Sequence, residues 1–369
     1  NAMTRVMTPR VRAIAEGLLR GDRPSLARAI TLVESKNPSH QAQAEALLEE
    51  VLASQQHAKR RRGLRIGFAG PPGAGKSTLI ETLGTFIIQT LGLRVAVLTI
   101  DPSSVRSGGS ILGDKTRMQN LTRNENAFIR ASPASGVLGG LAQYTVDAMQ
   151  LCEGAGFDVV MVETVGLGQS EVLIDQTVDV VSLVIPPGGG DELQGVKKGI
   201  VEVADVLVVN KADGELLGPA RASKMEYQMA LCLQRRKTQA WDPKVLLCSA
   251  LTEEGISELW QTIEECVSAM EGSGFTARRR KLQAEYWMWE QLRLRVVQMI
   301  SEDQELAGRA RDETRRLLQN TTSPRSCATR LLEALSQRLH HDRGEGSSHG
   351  ERVGIPLGEE ERTAAEVQP

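Results

Sequence analysis

The residues Gly70-Pro71-Pro72-Gly73-Ala74-Gly75-Lys76-Ser77-Thr78 follow a short apolar run, Leu64 to Ala69, and precede a stretch with helical spacing. The pattern is GxxxxGK[ST], and its chemistry is phosphate binding. Small residues let successive backbone N–H groups curl around phosphate oxygens, and a helix starting near Lys76 aims the positive end of its dipole at them. In that arrangement Lys76 reaches the β- and γ-phosphates and Ser77 ligates magnesium. Gly70, Gly73, Ala74, Gly75, Lys76, Ser77 and Thr78 thus mark a site for a nucleoside di- or triphosphate.

A second motif selects the base. The apolar run Val206 to Val209 ends in Asn210-Lys211-Ala212-Asp213, an NKxD arrangement. The Asp213 carboxylate can accept from the ring N–H and the exocyclic amine of guanine, whereas adenine would present a lone pair to it. Such a mismatch costs a few kcal/mol, enough for about 100-fold discrimination. Asn210 and the stem of Lys211 would brace the loop and the base plane. A further strand ends in Ser249-Ala250-Leu251, a loop type whose alanine N–H contacts the guanine carbonyl. Each short motif is weak alone; their order after a phosphate loop points to guanine.

Three carboxylates fall at or near strand ends. Asp101 opens Asp101-Pro102-Ser103-Ser104, Asp114 sits in Gly113-Asp114-Lys115-Thr116-Arg117, and Glu163 opens Glu163-Thr164-Val165-Gly166, where most GTPases carry DxxG. Carboxyl ends of strands face the crevice that holds phosphates, so all three are candidates for magnesium binding or water positioning, with Ser77. Helix capping is the other reading of Asp101 and Asp114. Two glycine-rich loops follow, 166–171 and 186–195, suited to rearrangement between nucleotide states or simply to long connections. In Ras-like enzymes the residue after the DxxG glycine is a glutamine that orients water; here it is Leu167. Slow intrinsic hydrolysis, accelerated by a partner, is the expectation. Gln169 joins Lys76 and Glu163 as a candidate catalytic group.

The elements that must position these groups can be read from periodicity. Strands are expected at Leu64 to Ala69, Arg94 to Ile100, Val159 to Val162, Val180 to Ile185, Val206 to Val209 and Val245 to Cys248, apolar enough to be buried on both faces of a mainly parallel sheet. The predicted class is α/β: a mainly parallel P-loop NTPase sheet flanked by helices, with helical N- and C-terminal extensions. Amphipathic spacing predicts two or three short helices over 10–57 and helices at 257–270, 275–300, 303–320 and 324–339. The expected organisation is an N-terminal helical region (3–62), a P-loop GTPase domain (63–272), a C-terminal helical extension (273–339) and a disordered tail (340–369). The Arg278 to Lys281 run reads as a solvated helix face, and Trp287 and Trp289 as core or interface anchors. Asn1-Ala2 before Met3 reads as a remnant of tag cleavage.

Composition narrows the partners. The 369 residues carry 44 Lys+Arg against 46 Asp+Glu, a net charge of -2, without the basic footprint of a nucleic-acid or membrane-surface protein. No apolar run reaches the roughly 18 residues of a membrane span. Five cysteines without CxxC spacing argue against a disulfide framework and a thiolate zinc site, and point to a reducing compartment.

Together GPPGAGKST, DPSS, GGSxLGDKTRM, ETVGxGQSE, PPxGGDELQGxKKGIxExAD and NKxD resemble the methylmalonyl-CoA mutase-associated GTPases, MeaB-like in bacteria and methylmalonic aciduria type A protein in animals, of the SIMIBI class. The resemblance spans roughly 10–290 and departs beyond about Glu302. It implies a homodimeric GTPase that uses GTP/GDP and Mg2+, gates adenosylcobalamin loading, and protects an adenosylcobalamin-dependent acyl-CoA mutase, methylmalonyl-CoA mutase first. It also implies that Asp101, Asp114 and Glu163 serve the metal and water network. Lys197, in the Gly188 to Gly199 loop, would enter the nucleotide site once the mutase is bound. It implies bacterial cytoplasm or, in a eukaryote, the mitochondrial matrix. The alternatives are a nickel- or cobalt-delivery GTPase, a targeting GTPase, and a small-molecule kinase or transport ATPase. The lack of a Cys/His cluster opposes the first, Glu163 in place of an aspartate the second, and NKAD the last.

Overall fold

The computed structural model describes residues 7–35, 37–57, 62–101, 118–133, 138–164, 170–188, 198–233 and 236–344. They form two units, one up to Leu292 and one from Arg293.

The first unit is built on seven parallel strands, β1 (Leu64–Ala69), β2 (Val95–Asp101), β3 (Ala127–Pro133), β4 (Val159–Glu163), β5 (Val180–Ile185), β6 (Val206–Val209) and β7 (Lys244–Leu247), in the order β3-β2-β4-β1-β5-β6-β7. The mainly parallel α/β class expected from the sequence is the observed one. Six strands match the apolar runs to within a residue at each end. The seventh, β3, was not expected, and its sequence Ala-Phe-Ile-Arg-Ala-Ser-Pro explains why. It is an edge strand, paired among the described residues with β2 alone, and from Ile129 onward it alternates apolar with polar side chains. Arg130 pairs with Glu34, and Ser132 Oγ donates to Glu34 Oε1 at 2.7 Å. The end of an N-terminal helix is thereby tied to the edge strand.

The sheet is buried on both faces. Against one face pack α1 (Pro9–Leu19), α2 (Arg23–Val33), α3 (Pro38–His57) and α6 (Leu138–Gly154), around Leu18, Leu26, Ile30 and Leu47. Against the other pack α4 (Lys76–Leu91) and α10 (Ile256–Gly272), around Phe68, Leu79, Leu83 and Trp260. Shorter helices α5 (Gln119–Arg123), α7 (Ser170–Asp175) and α8 (Lys198–Val203) lie in the connections, and α9 (Leu217–Cys232) follows β6.

A long helix, α11 (Phe275–Glu302), is fastened by its first half to the amino ends of the strands. Here the structure corrects the reading of Arg278 to Lys281 as a solvated face. Arg278 and Lys281 are exposed, but Arg279 is buried and pairs with Asp175 at 2.7 Å and Asp205 at 3.4 Å. Arg280 binds Asp179 with both ends of its guanidinium, at 2.7 and 2.5 Å. Asp179 and Asp205 sit just before β5 and β6, where each takes a backbone N–H of the neighbouring strand. Asp179 accepts from Arg65 N and Asp205 from Val181 N, at 3.0 and 2.8 Å. Four consecutive charges in a sequence look solvated because nothing local shows the partners of Arg279 and Arg280, 74 to 104 residues away. Trp287 is buried and donates from Nε1 to Gln176 O at 2.7 Å, whereas Trp289 is exposed. A cavity of about 230 Å³, walled by Asp147 and Gln150 of α6, Arg65 of β1, and Arg280, Gln283 and Trp287 of α11, opens beside this seam.

In the second unit α12 (Gln304–Leu318) and α13 (Pro324–Gly344) pack around Leu306, Ala334 and Leu335, with Val296 and Ile300 against them. Asp303 caps α12 by accepting from Glu305 N and Leu306 N at 2.9 and 3.0 Å. Glu313 receives both ends of the Arg330 guanidinium, which holds its carboxyl down at about 2. Helix α13 runs past His340 to Gly344; the rest of the expected tail, 345–369, lies outside the described residues.

Candidate nucleotide site

The carboxyl ends of β1, β4 and β6 converge on one crevice, because all seven strands run the same way and β1 sits centrally between β4 and β5. Connections after these strands leave on different sides of the sheet, the place where doubly wound folds bind ligands. Strand β1 delivers the phosphate loop. Gly70 has φ 149°, and a Cβ there would lie 1.9 Å from Val184 O, so the loop can leave the sheet only through glycine. Gly75, at φ 86°, immediately precedes α4 and gives it no side-chain cap. The first N–H groups of a 16-residue helix therefore point toward the crevice without an internal partner, an anion-binding geometry.

Lys76 is buried, and its Nζ donates to Gly70 O at 2.9 Å and Pro71 O at 3.1 Å. Burial pushes the ammonium below the ordinary lysine range, and the Glu163 carboxylate opposes that shift. Ser77 Oγ donates to Glu163 Oε1 at 2.7 Å across 86 residues of chain. Glu163 ends β4, opposite Phe68 of β1 and Thr99 of β2 in the strand register. A serine hydroxyl and a carboxylate side by side at a phosphate loop are hard oxygen donors, the set a Mg2+ shared with phosphates uses. The residues present fit that ion.

The guanine motifs close the other end of the crevice. Asn210 is buried at the end of β6, and its Nδ2 donates to Ala74 O at 2.9 Å and Gly75 O at 3.3 Å. Its Oδ1 accepts from Ala250 N at 3.2 Å. One amide thus ties the phosphate loop to both base loops. The space for it exists because residue 75 is glycine: a Cβ there would lie 2.5 Å from Asn210 Nδ2. Lys211 takes a left-handed conformation, φ 60°, with its side chain exposed. Asp213 Oδ2 accepts from Ser249 Oγ at 2.5 Å, and Ser249 Oγ accepts from Thr252 N at 3.1 Å. Leu251 is exposed beside them.

Sequence reasoning missed Thr82. Its hydroxyl lies 2.9 Å from Ala250 O and 3.1 Å from Thr78 O and shares its one proton between them, a second strap from the helix after the phosphate loop to the loop at residue 250. A threonine one turn past Thr78 carries no signal by itself, since only the fold brings residue 250 to it. The backbone of Asp101 ends β2, paired with Pro133; its side chain lies outside the described part. Asp114, Gln169 and Lys197, with the loops that carry them, also lie outside it.

A family model described as Methylmalonyl Co-A mutase-associated GTPase MeaB matches residues 26–305. The mitochondrial methylmalonic aciduria type A homolog of Mus musculus is 46% identical over 327 residues, 87% of this chain and 79% of that protein. GTPase ArgK of Escherichia coli strain K12 is 44% identical over 316 residues, 86% of this chain and 94% of that one. Among solved structures, a protein described as a LAO/AO transport system kinase superposes with a TM-score of 0.69 at 36% identity, over 90% of this chain and 99% of that chain.

Proposed function

The chain belongs to the MeaB family of methylmalonyl-CoA mutase-associated GTPases, and from that premise we propose that it is a GTP-hydrolysing chaperone of an adenosylcobalamin-dependent acyl-CoA mutase, methylmalonyl-CoA mutase first. Its GTPase cycle would gate cofactor loading and protect the mutase. The observation that carries the nucleotide part is Asn210, which joins the phosphate loop to both guanine-reading loops in one hydrogen-bonded unit.

In this reading Gly70, Gly73, Ala74, Gly75, Lys76 and Thr78 surround the phosphates with backbone N–H groups and one ammonium. Asp213 reads the guanine edge with Ser249 holding it in place, while Lys211, Ala250 and Leu251 frame the ring. Ser77 and Glu163, with Asp101 and Asp114, would hold Mg2+, whose chemistry is neutralising charge on the transferred phosphoryl group. Lys197 and Gln169 are the groups proposed to complete the site when the mutase binds, which makes unassisted turnover slow.

The proposal extends to a homodimer through the C-terminal helices. Supporting it, Leu282, Trp289 and Leu292 are exposed on adjoining faces of α11, an apolar stripe that a second helix would cover. The functional experiment measures GTP and ATP turnover with and without methylmalonyl-CoA mutase. GTP preferred over ATP, with a rate that rises on adding the mutase, is the expected result. Equal use of ATP overturns the nucleotide assignment, and a rate indifferent to the mutase overturns the partner.

A further inference from the structure

Glu81 lies on α4 one turn beyond Ser77 and is only 9% exposed. Among the described residues it has no cationic partner. Instead its Oε1 accepts from the backbone N–H of Asn120 at 2.6 Å, at the start of α5, and the N–H of Leu121 adds to the pull. Its Oε2 is closed off from solvent without a partner of good geometry among the described residues. Burial raises the carboxyl above the usual glutamate range despite both amides.

The surroundings are shaped to the same contact. Gly84, the next small residue on that face of α4, is where Leu121 seats: a Cβ at 84 would lie 2.9 Å from Leu121 Cδ1. Leu121 and Met118 are themselves buried in the core under α4. Hydrophobic packing alone would therefore dock α5, and a leucine at 81 would do so without the desolvation cost of a buried carboxylate. What a carboxylate adds is direction. It fixes the backbone of residues 119–121 relative to the helix that carries Lys76 and Ser77.

We propose that Glu81 is a positioning residue for the phosphate chemistry, setting how residues 119–121 dock on the helix that carries Lys76 and Ser77. The inference rests on the nucleotide reading above and adds a residue to it. Glu81 touches neither nucleotide nor metal in this role; it acts through Asn120. Loss of that orientation disturbs groups needed during turnover more than groups that bind the diphosphate, since the phosphate loop and Asn210 keep their own bonds. Misplacement of catalytic groups by an ångström is worth up to about 100-fold in rate.

The test compares the full-length chain with Glu81→Leu, Glu81→Gln and Glu81→Asp. It reads kcat and KM for GTP, the Mg2+ concentration for half-maximal rate, GDP affinity, and the thermal midpoint. Glu81→Leu is expected to lose about tenfold or more in kcat and to need several-fold more Mg2+, with GDP affinity within about twofold. Glu81→Gln keeps an acceptor oxygen and is expected to recover most of the rate, whereas Glu81→Asp, a methylene too short to reach Asn120, is not. A structural role alone would move the thermal midpoint in all three variants and leave kcat and the Mg2+ requirement as in the wild type; that result overturns the proposal. Should Glu81→Leu fail to fold, the Gln and Asp pair decides: equal rates overturn the proposal, Gln well above Asp supports it. Lys76→Ala separates the two levels. A wild-type chain that does not hydrolyse GTP, or does so no faster than Lys76→Ala, overturns the nucleotide reading and this proposal together. Wild-type turnover with indifferent Glu81 variants overturns this proposal alone.

Discussion

Asn210 Nδ2 donates to Ala74 O at 2.9 Å, a bond that spans 136 residues and joins the β6 end to the phosphate loop. The same side chain accepts from Ala250 N. Both groups it satisfies are buried, so truncation leaves them unpaired rather than hydrated. We expect Asn210→Ala to lose about 2–3 kcal/mol of nucleotide binding, near 100-fold in affinity, with a smaller fall in stability. Calorimetric titration with GDP checks this; affinity within threefold of wild type contradicts it.

Asp213 should decide the base by the direction of its hydrogen bonds. An amide at this position presents an N–H where the carboxylate only accepts. It therefore suits xanthine, which carries a carbonyl in place of the guanine amine. Asp213→Asn is expected to weaken GTP about 100-fold and to improve XTP by a similar factor. Competition between the two nucleotides reads this out, and an unchanged preference removes Asp213 from base recognition.

Ser77 and Glu163 share one hydrogen bond and, in the proposed function, one ion. Ser77→Ala and Glu163→Gln should each lower turnover at limiting Mg2+ by tenfold or more, and the double variant should lose less than the sum of both effects. Full additivity in free energy would mean that the two side chains act separately.

Asp147, at the cavity between α6 and α11, is pushed by burial from 3.8 to about 7. Its neutral form is favoured by folding, so its contribution is fully present below about pH 4 and is lost as pH rises through 7. The slope over that window is roughly 1.4 kcal/mol per pH unit at most. Asp147→Asn should match the wild type near pH 4 and exceed it by a few kcal/mol at pH 8. Urea unfolding at both pH values tests the sign; a variant less stable at pH 8 contradicts it.

Arg279 is buried with Asp175, Asp205 and the Asp179 carbonyl oxygen. Removing the guanidinium leaves the buried Asp205 and the partly exposed Asp175 sharing the Lys237 ammonium, which lies 3.2 and 2.5 Å from them. Arg279→Ala should destabilise the first unit by about 3–5 kcal/mol. GDP affinity, measured well below the melting transition, should change less than twofold.

The legible parts of the sequence were those in which function dictates local order. Gly70 to Thr78 form a strand-loop-helix junction and Asn210 and Asp213 stand at a strand end, the placements that the proposed phosphate and guanine binding would require. The sheet class followed from strands apolar enough for two buried faces. Strand β3 escaped because it is an edge, whose polar side chains Arg130 and Ser132 are satisfied by Glu34, 96 to 98 residues away. Arg279, Glu81 and Thr82 escaped for a related reason. Each is a polar side chain whose partner is a distant backbone group or carboxylate, and no periodicity records such pairings. Trp287 and Trp289, two residues apart on one helix, show the limit of composition: only the turn of α11 separates a buried ring from an exposed one.

Parallel strands sort the molecule into two poles. Gly70, Glu163 and Asn210 stand at the carboxyl ends, while Arg65, Asp179, Asp205 and Arg279 gather at the amino ends. A strand of six residues holds these poles roughly 20 Å apart, beyond the distance at which substitutions ordinarily couple. Thermal adaptation can therefore proceed by exchange of charges at the lower pole while the nucleotide chemistry stays untouched, and the chain can drift in robustness without drifting in turnover.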